Sequence, residues 1–149
     1  IPDIQCKVIG SGPQENKLKA LAEEFGIADC VEFFGFVPAR KDVIALMKRS
    51  HVFCLPSVVE GFGMVTIEAM AAGIPYVNSD IPATREITQG GMGGLLFEPL
   101  NSNDLAEKIA RLLTNHLLYE EKVREGKTLV QQYDWKNIVS SIEKIYKQL

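Results

Sequence analysis

Short apolar runs alternate with amphipathic helical segments along almost all of this chain, and that alternation restricts the folds open to it more than any other feature. "IQCKVIG" (4–10) has the length and apolar content of a strand. "SGPQ" then turns the chain into "ENKLKALAEEFG", where Leu18, Leu21, Ala22 and Phe25 recur at helical spacing until Gly26. "CVEFFGFV" reads as a second strand and "RKDVIALMKRS" as a helix with Val43, Leu46 and Met47 on one face. "HVFCLPS" is a third strand, ended by Pro56. A helix is expected from about Gly63 through Ala72, stopped by Gly73 with Pro75 just beyond. "PYVNSD" and "GGLLFEP" supply two more strands, and three helices follow at roughly 103–114, 117–132 and 135–148. The last carries Ile138, Ile142, Ile145, Tyr146 and Leu149 as a stripe, with Asp134 placed to cap its start. Strands and helices in this order imply βαβ units, hence an α/β fold with a parallel sheet covered by helices on both faces. Ligands of such sheets bind beyond the carboxyl ends of the strands.

Composition narrows the function classes. The 149 residues are 46% hydrophobic and 23% charged, which gives room for one domain, residues 1–149, with a sizeable core. A net charge of −3 without long runs of like charge argues against a grip on a nucleic-acid backbone. No apolar run approaches the roughly 20 residues that a membrane-spanning helix needs, and no charged-then-apolar leader opens the chain, so a soluble, cytoplasmic protein is expected. Cys6, Cys30 and Cys54 are odd in number and sit in or beside apolar runs, as buried free thiols of a reducing compartment do. His51 and His116 stand at no metal-ligand spacing, and no metal site is expected. The start at Ile1, without methionine and almost directly on a strand, suggests a fragment of something longer.

Two stretches could carry chemistry. "VIGSGP" opens like a dinucleotide fingerprint, but the position of its third glycine is Glu15, whose charge would face a pyrophosphate. A tight structural turn is the better reading. "PSVVEGFGMVTIEAMAAGIP" (56–75) places Glu60 just before a helix start and Glu68 one to two turns inside it. The amides of Gly63, Met64 and Val65 would leave that N-terminus unpaired, and glycines beside it give a phosphate close access. A carboxylate near a phosphate is better used on neutral hydroxyls. Two such acceptors around a row of amide donors suit a hydroxylated ring, then phosphates, then another hydroxylated ring, which describes a nucleotide-sugar. The competing reading makes Glu60 a helix cap and pairs Glu68 with a surface Lys or Arg.

"EGFGMVTIE" followed by "AMAAGIPYVNSD" resembles the E-x7-E segment of the retaining glycosyltransferases of family 4. "KVIGSGP", "VEFFGFV", "VFCLPS", "PATREI", "GGLLFEP" and "DWKNIVSSIEKIY" appear in the order that family shows. The resemblance implies the C-terminal, donor-binding half of a GT-B fold, Rossmann-like, with its first strand and helix absent from this chain. It implies that Glu68 binds the ribose hydroxyls and that Glu60, the catalytic candidate, holds the donor sugar beside Phe62. The amides of Gly61 to Val65, those of Gly63 and Met64 among them, would take the sugar and diphosphate oxygens, and Gly35, Phe36 and Val37 would meet the nucleobase. The family retains anomeric configuration and needs no metal or other cofactor; consistently, no D-x-D pair occurs here.

The implied partners are a UDP- or GDP-type sugar donor and an acceptor glycan, lipid or small molecule held by an N-terminal domain. A lipid-linked acceptor would put the full-length enzyme at the inner face of the membrane. The family's arginine and lysine diphosphate clamp would precede this chain, so the fragment is expected to be inactive by itself. The absent strand is central in the family's sheet. Strands 4–10 and 51–56 are therefore expected either to close on each other or to accept a strand from a neighbouring molecule. The alternatives to a hexosyltransferase are a sugar-phosphate or starch-type synthase of the same fold and a non-catalytic sugar-nucleotide-binding module.

Overall fold

The structure, a computed structural model, describes residue 1 and residues 3–147. In chain order its elements are β1 (Cys6–Ile9), α1 (Glu15–Glu24), β2 (Val31–Gly35), α2 (Arg40–Lys48), β3 (Phe53–Leu55), α3 (Met64–Ala71), β4 (Tyr76–Ser79), α4 (Pro82–Ile87), β5 (Gly94–Phe97), α5 (Ser102–Thr114), α6 (His116–Leu129) and α7 (Trp135–Tyr146). Short 3-10 turns occupy Ala28–Cys30 and Val130–Tyr133. Each strand and helix expected from the apolar pattern is present. The expected end of the last helix at 148, and Leu149 of its stripe, lie outside the described residues. α4 was not expected: its six residues are too few to show a period, and Pro82 at the first helical turn is its main local signal.

All strand pairs are parallel, as βαβ connections require. They form two ladders, β1 with β2 and β3 with β4 and β5. β1 bonds to β2, the strand its own crossover helix α1 leads to, and β3 bonds to β4 through α3.

The chain divides into two compact units, Ile1–Ala45 and Leu46–Leu149. In the second unit β4 is the middle strand and all four of its residues are buried. Alternation along it feeds two clusters. Tyr76 points to one face with Ile67 and Met70 of α3 and Leu129 of α6. Val77 points to the other with Phe97 of β5 and Leu112 of α5. Gly94 lies opposite Tyr76 in register, and a Cβ there would come within 2.4 Å of the Tyr76 carbonyl, so only glycine lets the ring lie across β5.

The first unit is more open. Ala22 is its buried apolar residue among those described, while Leu18, Leu21 and Phe25 on and after α1 are exposed. Lys7 pairs with Glu32 at 3.0 Å and lies over the Phe34 ring, and Lys19 lies over Phe33. The three cysteines form no disulfide among the described residues, and contrary to expectation they are not buried. Cys6 is exposed and Cys30 and Cys54 are half-buried, because β1 has a neighbour on one side only and β3 is a sheet edge.

Candidate functional site

The loop from Pro56 to Gly63 leaves the carboxyl end of β3 and delivers the chain to the N-terminus of α3, the position where α/β sheets hold ligands. Gly63 is the N-cap residue and takes a left-handed backbone, φ 78°. A Cβ there would sit 3.2 Å from Cδ1 of buried Ile87, so both conformation and space call for glycine. The first turn closes with Thr66 N–H donating to the Gly63 carbonyl at 2.9 Å. Ahead of it, the amides of Gly63, Met64 and Val65 find no backbone acceptor among the described residues. They form the row of donors anticipated from the sequence.

Glu60 is half-buried beside this row and accepts a hydrogen bond from Ser57 Oγ at 3.2 Å. Ser57 therefore turns the carboxylate within the loop. Glu68, half-buried, lies in the second turn of α3. Phe62, 45% exposed, stands edge-on to Tyr133 with ring centroids 6.2 Å apart. Tyr133 is held in turn by its hydroxyl, which donates to the Ile87 carbonyl at 2.8 Å. The rim of the site is apolar and open, with Val58, Val59 and Met64 exposed.

The other predicted residues lie in the first unit, at the carboxyl end of β2. Gly35 has a left-handed backbone, φ 63°, and its carbonyl accepts from the Gly10 amide at 2.8 Å. Phe36 is 72% exposed and Val37 half-buried. Gly10 itself sits at φ 123°, a tight turn, and Glu15 pairs with Lys19 at 2.7 Å along α1. That pairing suits a helix start better than a pyrophosphate seat.

Ser57, Tyr133 and the buried pair Thr66 and Asn78 escaped the sequence reading. Ser57 could have been found three positions ahead of Glu60; the others depend on long-range contacts. Two shallow depressions, of about 470 and 480 Å³, lie elsewhere, one along β5 between Arg85 and Lys122 and one on α6. Neither includes Glu60 or Glu68. Arg85 and Lys122 are both engaged, with Asp80 and Glu125 respectively. Among the described residues no helix is long and apolar enough to cross a membrane.

Parallel βαβ units with helices between the strands define an α/β, Rossmann-like fold. Residues 1–128 match the family described as glycosyl transferases group 1, and the chain belongs to that family. Its fold is that of the corresponding part of a GT-B glycosyltransferase. Over 146 residues it is 36% identical to a phosphatidyl-myo-inositol mannosyltransferase of Mycobacterium leprae, covering 97% of this chain and 38% of that protein. It is similar to the sucrose-phosphate synthase of Thermosynechococcus elongatus, with 28% identity, a TM-score of 0.84 and coverage of 97% of this chain and 38% of the other. The Anabaena protein HepE, solved in complex with UDP-glucose, shares the fold at a TM-score of 0.87 and 24% identity, covering 100% of this chain and 42% of HepE. The chain thus spans about two fifths of the length of these proteins.

Proposed function

We propose that this chain is the donor-binding part of a retaining, metal-independent glycosyltransferase that moves a hexose-type sugar from a nucleoside diphosphate to an acceptor held outside these residues. The observation that carries the reading is the N-terminus of α3, where the amides of Gly63, Met64 and Val65, without a backbone acceptor among the described residues, stand between Glu60 and Glu68. The UDP-glucose held by HepE, a protein of the same fold, supports it. In this reading Glu68 accepts hydrogen bonds from the ribose hydroxyls and Glu60 from those of the sugar. The amides from Gly61 to Val65, with Phe62 beside them, receive the diphosphate and sugar oxygens. Gly35, Phe36 and Val37 of the first unit go to the nucleobase.

The chemistry follows from charge. As the bond to the anomeric carbon breaks, negative charge grows on the leaving diphosphate and positive charge on the sugar. Preorganised amides and the positive end of α3 favour the first. The Glu60 carboxylate, oriented by Ser57, favours the second while fixing the sugar; it is not assigned a nucleophile's role. No metal or other cofactor enters this scheme. A lipid-linked acceptor, of the kind that the mannosyltransferase relative's name contains, would place the complete protein at the cytoplasmic face of a membrane.

Calorimetric titration of the complete protein with UDP-, GDP- and ADP-sugars tests the donor site. Binding of one nucleotide class is expected, and Glu68→Ala should weaken it roughly tenfold to a hundredfold, since a hydrogen bond to a charged acceptor contributes about 1.5–3 kcal/mol. Unchanged affinity in Glu68→Ala would remove the ribose assignment. Glu60→Ala should depress turnover more than nucleotide affinity, and unimpaired transfer in that variant would remove Glu60 from the reaction. The likeness to sucrose-phosphate synthase favours a second reading, in which the acceptor is a sugar phosphate. Product analysis with free sugars and sugar phosphates as acceptors separates the two.

A further inference from the structure

Asn78 occupies the middle strand β4 and Thr66 the first turn of α3, and neither exposes any surface. Asn78 Nδ2 donates to Thr66 Oγ1 at 2.8 Å. Its Oδ1 accepts from the backbone N–H of Leu55, the last residue of β3, at 3.0 Å. One side chain therefore ties together the carboxyl end of β3, the centre of the sheet and the start of the helix that carries the open amides. Thr66 lies directly below Gly63, its Oγ1 3.7 Å from where a Gly63 Cβ would stand.

Two apolar side chains of the same shape could fill this space without the cost of desolvating an amide and a hydroxyl. What they could not supply is direction. A hydrogen-bonded pair has one satisfied geometry, and in a buried site departure from it is costly, so the pair fixes one orientation of the helix start where apolar packing would tolerate several.

We propose that Asn78 and Thr66 are positioning residues for the donor diphosphate: their hydrogen bond sets the first turn of α3, and through it the direction of the Gly63, Met64 and Val65 amides. This rests on the donor-site reading above. Neither residue touches the ligand. Asn78 acts through Thr66, and Thr66 through the turn it closes onto the Gly63 carbonyl.

The test is made on the complete protein with three variants. Thr66→Val keeps the shape and removes the hydroxyl, Thr66→Ser keeps the hydroxyl, and the double variant Asn78→Ala/Thr66→Val removes the amide and the hydroxyl together, leaving only the Leu55 N–H without its side-chain acceptor, should the single valine variant fold poorly. Hydrogen exchange of the segment 61–66 is read without ligand, with α5 as an internal control, and affinities for UDP, GDP and ADP are read by calorimetry below the melting transition. In Thr66→Val and in the double variant, exchange at 61–66 should rise while α5 is unchanged. The affinity for whichever diphosphate the parent binds should fall roughly tenfold, because small misplacements of preorganised groups are costly. Thr66→Ser should match the parent in both readouts, a rescue that a role confined to global stability would not confine to this segment. Unaltered exchange at 61–66 in folded Thr66→Val, or faster exchange with undiminished diphosphate affinity, would overturn the proposal. If exchange responds as expected but the parent binds none of the three diphosphates, the clamp on α3 stands and the donor-site reading is what fails.

Discussion

At the residue scale, two left-handed positions show how differently one backbone conformation can be occupied. Gly63, φ 78°, is buried against Ile87 at the mouth of the site, whereas Leu100, φ 67°, stands 86% exposed in the turn before α5. A side chain in this region costs about 1–2 kcal/mol, and glycine avoids that cost at an entropic loss of about 0.5–1 kcal/mol. Gly63→Ala should therefore destabilise by up to about 1.5 kcal/mol through the backbone alone, with the Ile87 contact adding to it, and should weaken nucleotide binding by moving the amides. Leu100→Gly should stabilise by about 0.5–1 kcal/mol and leave nucleotide binding alone. Denaturant melts of the two variants check both signs; a stable Gly63→Ala protein with native affinity would contradict the account of the helix start. The two carboxylates of the site, Glu60 and Glu68, were legible because their spacing around Gly61 and Gly63 is local. Their supports were not. Ser57 turns Glu60, and Asn78 braces the helix under Gly63 from twelve positions beyond Thr66, a relation that no short-range pattern encodes.

At the element scale, α6 is docked on the loop before β5 by a contact that the sequence conceals. Gly93 and Gly126 meet so closely that a Cβ on Gly93 would lie 2.8 Å from the Gly126 Cα, and Glu125 accepts from the Gly93 N–H at 3.0 Å and from Lys122 Nζ at 2.8 Å. Burial works to raise the Glu125 carboxyl, but the Lys122 ammonium and the Gly93 amide outweigh it and hold the group below its ordinary value. A carboxyl depressed in the folded state contributes stability that is fully present above its unfolded pKa, near 4.3, and is lost as pH falls through the folded value. Glu125→Gln should therefore flatten the acid side of the stability profile below about pH 5, and identical slopes in the two proteins would exclude Glu125 as a contributor. The helices with a clear period, α5 and α7 above all, were readable to within a residue or two of the described ends. α4 was not, since six residues cannot display a period.

At the scale of the whole molecule, the chain's protection from solvent is uneven, and that unevenness can be measured. β4 has a neighbour on each side and four buried residues, whereas β1 has one neighbour and three of its four residues exposed. Leu18, Leu21 and Phe25 in the first unit, and Trp135, Val139, Ile142, Ile145 and Tyr146 along α7, are apolar and open. Local opening costs least where few apolar contacts are lost, so β1 and β2 amides should exchange far faster than those of β4, by roughly tenfold or more, in the 149-residue chain. Equal protection in the two ladders would contradict this picture. Open edges of β1 and β3 are also templates for a further strand. If a neighbouring molecule supplies that strand, one of the two arrangements that the sequence offers, protection of β1 and β3 should rise with protein concentration while β4 stays constant, and light scattering should report a mass above that of one chain. Concentration-independent exchange from a species of single-chain mass would rule out strand exchange. Protection of β1, β3 and α7 that is high in the complete protein at every concentration would instead assign their cover to the rest of the same polypeptide.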